Sequence, residues 1–348
     1  MVLFVGQTFD GPQTFQESTV GFVDCTFSNV ANMFKGSNAR FVKFKNCKVI
    51  GDTKKMFSHS HVETLDLSGL DVSESTDFSY MFNVCLHLRQ INFGNNFNTS
   101  NAKTMEGMFY CCNDQYFKAL DLSSFDTSNV TNMSRMFHEV QFVENLNLSS
   151  FNTSKVTTMH SMFKKMKCCQ PNVSTFDTSN VTDMKSMFSY TSLHKTLDLS
   201  NFNTSKVVTM RSMFNCCFNL RQLIENFDTS NVTDMTNMFH FCRGLERISN
   251  IENWNVSKVV SFIGMFYKCE DIEELDLSKW KLLRFANVDE MFEEALSALT
   301  KKFKLFTASE TMKTRMKLHA PVDIDDLIHR YDKLLEKSKS IAEELNRK

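Results

Sequence analysis

The chain has 348 residues, 39 Lys and Arg against 40 Asp and Glu, and a formal net charge of -1, so it lacks the global electrostatic footprint of a nucleic-acid or anionic-membrane binder. With only 10 Gly and 3 Pro, no stretch before residue 300 reads as a flexible linker, which favours one continuous body with a tail over a string of domains. No apolar run approaches the ~18 residues that span a bilayer, and 34 Phe and 21 Met against 2 Trp is a skew that a repeated unit would produce.

Residues 1–30 are rich in Phe, Val and Thr and alternate roughly as strands do, as in Phe22-Val23-Asp24-Cys25-Thr26-Phe27. They are expected to be N-terminal capping strands, because terminal solenoid repeats otherwise expose apolar faces. Met1-Val2-Leu3-Phe4-Val5-Gly6 has no basic n-region and too short an apolar run for a signal segment. The expectation is therefore a cytoplasmic, virion or host-intracellular protein rather than an extracellular one.

Residues 31–300 are organised by a repeat. Met-Phe occurs eleven times, with its Phe at 34, 57, 82, 109, 137, 163, 188, 214, 239, 266 and 292, in steps of 23 to 28 residues. In one unit, Leu120-Asp121-Leu122 alternates as a short strand and Phe125 turns inward. Thr127-Ser128-Asn129 supplies turn and helix N-cap residues. Val130, Met133, Met136 and Phe137 then recur three to four apart, the spacing of one face of about two helical turns. The unit predicts an α/β, elongated leucine-rich-repeat-type solenoid of about eleven 25–26-residue repeats.

The pattern Leu-Asp-Leu-Ser-x-Phe-x-Thr-Ser-x-Val-Thr-x-Met-x-x-Met-Phe-x-x-Cys-x-x-Leu resembles the BspA-like leucine-rich-repeat surface protein family, of the kind also found in mycoplasma lipoproteins, over roughly residues 30–300. The resemblance implies a solenoid with strands on one side, and a binding or adhesive role as in many members. Bacterial members are usually exported, whereas related repeats in protists and large DNA viruses are compatible with an intracellular or virion protein.

Stacking turns each repeat position into a column with neighbours ~4.8 Å apart. Three residues after each Met-Phe the column includes Cys85, Cys112, Cys217, Cys242 and Cys269 among small residues; free Cys packs as a small hydrophobe, and disulfides would need an oxidising compartment. Asn98, Asp126, Asn152, Asp177, Asn203, Asp228 and Asn255 alternate, as do Asn129, Lys155, Asn180, Lys206, Asn231 and Lys258. Like charges ~5 Å apart would repel by roughly 3 kcal/mol at an effective dielectric of 20, so alternation is expected to space them. Between the two inward Leu positions lie Asp66, Asn92, Asp121, Asn147, Asp198 and Asp276, a candidate binding stripe or a solvated polar ladder.

Repeat breakdown marks two further places. Lys164, Lys165 and Lys167 cluster in a segment that replaces the usual strand, a drifted loop or a basic contact site. Arg243, Arg247 and Trp254 fall in one irregular unit, with Trp254 in the inward Phe position. His59 and His61 lack a convincing third metal ligand, and the sequons are generated by the repeat. Residues 301–320 form a basic connector, and Pro321 and Asp323 open an amphipathic helix over residues 321–348 that would cap the solenoid or bind a second chain. With no nucleophile–base pairing, P-loop or cofactor fingerprint, the sequence predicts a non-enzymatic protein–protein interaction scaffold without a cofactor or metal. The alternative is a structural, surface or virion component that packs laterally or mediates adhesion.

Overall fold

The computed structural model describes residues 1–167, 170–277, 279–295 and 304–306, and shows a parallel β-solenoid. Strands one coil apart pair in parallel. β1 (Val2–Val5), β3 (Thr19–Val23), β5 (Phe41–Lys45), β7 (Thr64–Asp66) and β9 (Gln90–Asn92) form one five-stranded sheet. β2 (Thr8–Asp10), β4 (Thr26–Ser28), β6 (Cys47–Val49) and β8 (Leu70–Asp71) form a second, four-stranded one. Further along, the strand face continues as β10 (Ala119–Leu120) with β11 (Asn145–Leu146), then β12 (Thr196–Leu199), β13 (Gln222–Glu225) and β14 (Arg247–Ile248), and finally β15 (Glu274–Asp276) with β16 (Lys304–Phe306). Register is set by the buried alternation: Val20 pairs with Val42, Phe22 with Phe44, and Leu197 with Leu223.

The expected α/β architecture is corrected. Among the described residues the only helical element is a single 3-10 turn, Ile251–Asn253, and the segment read as a short helix is a chain of tight turns. In the coil of Phe137, Met136 N–H donates to Met133 C=O at 3.3 Å, His138 to Arg135 at 3.1 Å and Val140 to Phe137 at 3.3 Å. The intervening N–H groups of Arg135, Phe137 and Glu139 donate instead to His160, Met162 and Lys164 of the next coil at 2.8 to 2.9 Å. Arg135 and Glu139 hold left-handed φ angles of 57° and 61°, which an α-helix cannot contain. The same two positions are left-handed in the coils on either side, as at Ser161 and Lys165. A two-turn helix nucleates poorly, whereas a stacked coil offers a ready row of donors and acceptors, so inter-coil bonding wins. The helix expected over residues 321–348 lies outside the described residues, as does most of the 301–320 connector.

Gly107 fills one left-handed position, and a Cβ there would lie 2.4 Å from the Tyr80 ring. Val84 occupies the other with φ 57°, a poor conformation for a β-branched residue. Val84→Gly is expected to raise stability by roughly 0.5–1 kcal/mol, read as a higher urea midpoint with unchanged m; a lower midpoint would show that the Val84 side chain matters more than its backbone.

The interior is built of ladders. The eleven Met-Phe rings stack coil on coil, for example Phe109 on Phe137 at 5.9 Å and 1°, and Phe188 on Phe214 at 5.8 Å and 2°. Beside them Thr99, Thr127, Thr153, Thr178, Thr204 and Thr229 are buried, and each hydroxyl donates to the carbonyl of the Asp or Asn one coil on at 2.9 to 3.1 Å. The Thr-Ser turn is therefore a hydrogen-bonded rail between coils rather than a helix cap.

Candidate functional site

On the strand face, the polar column lies outward between inward apolar residues, mostly buried leucines, as its alternation implies, and its members are tied into local turns. Asp66 on β7 receives Lys43 Nζ at 2.8 Å, Ser68 Oγ at 2.6 Å and Asn92 Nδ2 at 3.2 Å. Burial pushes its carboxyl up, but the bonds from Lys43 and Ser68 outweigh this and hold it below the usual range. The Oδ1 atoms of Asp121, Asn147 and Asp198 each accept the backbone N–H of the Ser two residues on, at 2.9, 3.0 and 2.9 Å. Asp276 closes β15 opposite Phe306. The column is continuous as far as Asn92, then interrupted: Ile224 pairs with Asp198.

The three lysines do not make a free basic patch. Lys165 is paired with Glu139, whose carboxyl it holds down. Lys164 is half-buried, and burial, then the neighbouring charges of Lys165, Arg135 and Lys185, push its amine below the ordinary lysine range. Lys167 is exposed. Near Lys164 and Lys165 on the turn face, Arg135 reaches Glu106 at 2.9 Å, and Tyr80 Oη donates to the same oxygen at 2.6 Å.

A further group on the turn face follows the Met-Phe pairs of two neighbouring coils. His240 stacks on Tyr267 at 4.8 Å and meets Phe241 at 4.7 Å, while Phe241 lies 5.4 Å from Tyr267. Lys268 Nζ sits 5.0 Å over Phe241 and Arg243 lies 5.6 Å over the same ring, within cation–π range. Glu294 accepts from Tyr267 at 2.8 Å and pairs with Lys268 at 3.1 Å. Of this group, the sequence pattern singles out only Arg243. Comparing the two columns just after Met-Phe would have found it, since those columns vary in chemistry from coil to coil while the Met and Phe columns themselves do not.

The groups with chemical potential are mostly committed to structure. Among the described residues nine cysteines carry no disulfide. Cys85, Cys112, Cys217, Cys242 and Cys269 donate to a Phe carbonyl of the preceding coil at 2.9 to 3.1 Å. Burial pushes the Cys85 thiol up to about 12 and raises the others, opposite to what a nucleophile needs. Ser58 Oγ contacts His59 Nδ1 at 2.8 Å and His61 lies 5.7 Å from His87; among the described residues no three His, Cys, Asp or Glu gather as a metal site.

The Asp/Asn and Asn/Lys columns explain each other. Every Asp or Asn makes the same turn, as in Ser128 N–H to Asp126 and Ser154 N–H to Asn152, at 2.9 and 3.1 Å. Lys155, Lys206 and Lys258 each donate to the Asn one coil back at 2.6 to 2.7 Å. Coils bearing Asp126, Asp177 and Asp228 thus alternate with coils bearing Lys155, Lys206 and Lys258, and the charge along this edge alternates in sign. Asn152→Asp with Asn203→Asp keeps the turns but places negative charge in adjacent coils, and should lower the melting temperature by a few degrees, on the order of 1 kcal/mol, less in high salt. An unchanged melting temperature would count against charge spacing.

These features define a repeat solenoid whose Met-Phe ladder is uniform and whose turn face is not. The chain belongs to the family described as Mycoplasma protein of unknown function, DUF285, whose model matches it three times in succession, over residues 28–117, 111–197 and 191–306. No curated protein matches it. Among the described residues no helix is long and apolar enough to cross a membrane.

Proposed function

We propose that the protein is a non-enzymatic scaffold of the BspA-like repeat type that binds a protein partner through its turn face. The carrying observation is the group of His240, Phe241, Arg243, Tyr267 and Lys268. It gathers aromatic and Arg side chains, the residue types that dominate interface energetics, on a body whose cysteine thiols and strand-face carboxylates are committed to internal bonds. The strand face supports the reading less well, because its Asp and Asn side chains already hold turns. The unpaired cysteines suit a reducing compartment.

The test compares two double variants of equal melting temperature on immobilised protein. Phe241→Ala with Tyr267→Ala should lose at least tenfold in binding to the captured partner, equivalent to roughly 1.4 kcal/mol, while Asp121→Ala with Asp198→Ala should retain it. Equal binding by both, or loss confined to the strand-face variant, would refute the turn-face assignment.

A further inference from the structure

One inward strand position departs from the apolar rule. Where other coils place Leu122, Leu148, Leu199 and Leu277, β13 places Glu225, in register with Leu199 and only 1% exposed. Its Oε1 accepts Trp254 Nε1–H at 3.0 Å and its Oε2 accepts the Phe227 backbone N–H at 2.5 Å. Its own N–H donates to Ser249 Oγ and its carbonyl accepts Asn250 Nδ2–H, both at 2.9 Å. Asn250 is left-handed and opens the 3-10 turn, after which Trp254 enters the core 6.1 Å from Phe227, 6.5 Å from Phe239 and 6.2 Å from Trp280.

Two N–H donors favour the carboxylate and burial favours the acid; burial prevails, and the group is pushed up to about 7. The nearby charge that acts on it is Glu252, of like sign. The other charged side chains of the adjoining strands are engaged elsewhere: Asp198 with Ser200, Asp228 with Ser230, Arg221 with Glu246, and Arg247 with Glu273. The two cations among these neighbours, Arg221 and Arg247, are thus paired with other carboxylates, and the inward positions beside Glu225 are apolar, as at Leu199 and Leu223.

We propose that Glu225 is a pH-sensitive latch between the coil of Phe214 and the coil of Phe239: as the acid it lets Trp254 pack in the core, and as the carboxylate it draws in water and loosens the Trp254–Trp280 segment. The latch shares the coil of Phe239 with the turn-face group described above, through Trp254, but stands on its own geometry. Trp254 and Trp280 are the only 2 Trp in the chain, so their emission reports this segment alone.

The experiment is tryptophan emission of the full chain from about pH 5 to about pH 9, at constant ionic strength. The expected result is a red shift with a midpoint near neutrality, absent in Glu225→Gln and displaced to lower pH in Glu252→Gln. A transition that persists in Glu225→Gln, or wild-type emission that does not move, overturns the proposal. Should Glu225→Gln fail to fold, a Glu252→Gln midpoint equal to that of the wild type overturns it.

Discussion

Phe163→Ala should cost about 3–5 kcal/mol, the range for emptying a large buried aromatic position. Phe163 is fully buried, stacked 5.8 Å from Phe137 and 5.7 Å from Phe188, with Phe176 at 6.5 Å. Its carbonyl also receives the Thr191 hydroxyl at 2.6 Å, so the backbone there is pinned and collapses poorly around a void. Solenoid stability is approximately a sum of coil and interface terms, and an ordinary domain holds only about 5–15 kcal/mol in all. A break in the middle of the ladder should therefore do more than lower the urea midpoint; it should split one transition into two. Phe218→Ala, at a residue 52% exposed, is the control and should stay within about 0.5 kcal/mol. A loss under about 1 kcal/mol at Phe163 would mean that the ring ladder is not what holds the coils together.

That ladder was legible in the sequence because Met-Phe marks each coil without ambiguity, and the alternation of Leu197, Asp198 and Leu199 correctly separates inside from outside. The return segment was not legible. Inward residues at 130, 133, 136 and 137 fit a helical stripe and a chain of tight turns equally well. The two differ in backbone φ at positions such as Arg135 and Glu139, where Gly would have been the signal. Gly does appear in those columns, at 36, 107 and 264, but the other coils place residues as different as Arg, Glu, Ser, Tyr, Cys and Val there and mask it. The Asp stripe was legible as a surface and not as a set of turns, because its bonds go to backbone N–H groups that carry no residue signature. Glu225 was hidden by the irregularity of its unit: only the pairing of Leu223 with Leu197 shows that it stands in a leucine position.

The pH dependence of stability should be the sum of two opposed contributions. Glu225 carries a folded-state value of about 7 against an ordinary 4.5, so the folded chain holds this proton more tightly than the unfolded one. Its contribution is complete below about pH 4.5 and is lost as pH rises through about 7, up to roughly 3 kcal/mol. His138 is the reverse case. It is buried against Tyr110 at 4.8 Å, and burial, with Lys164, Lys165 and Arg135 adding to it, pushes its imidazole down to about 4. Stability from the neutral ring is complete above its usual 6.5 and is lost as pH falls toward 4, by roughly 1–2 kcal/mol once solvent screening is allowed for. Between about pH 4.5 and 6.5 the two slopes oppose, and the wild-type profile should be shallow. Glu225→Leu restores the apolar column and removes one slope. It also leaves the Trp254 Nε1–H and the Phe227 N–H without their acceptor, about 1–3 kcal/mol each, so it should change little at pH 8 and lose about 2 kcal/mol or more at pH 5. His138→Phe should instead gain at pH 5 and change little at pH 8. Urea unfolding at both pH values separates the outcomes: profiles that run parallel to the wild type would mean that neither buried group changes protonation with folding, and the slopes would then have to arise from the surface carboxylates that hold the turns.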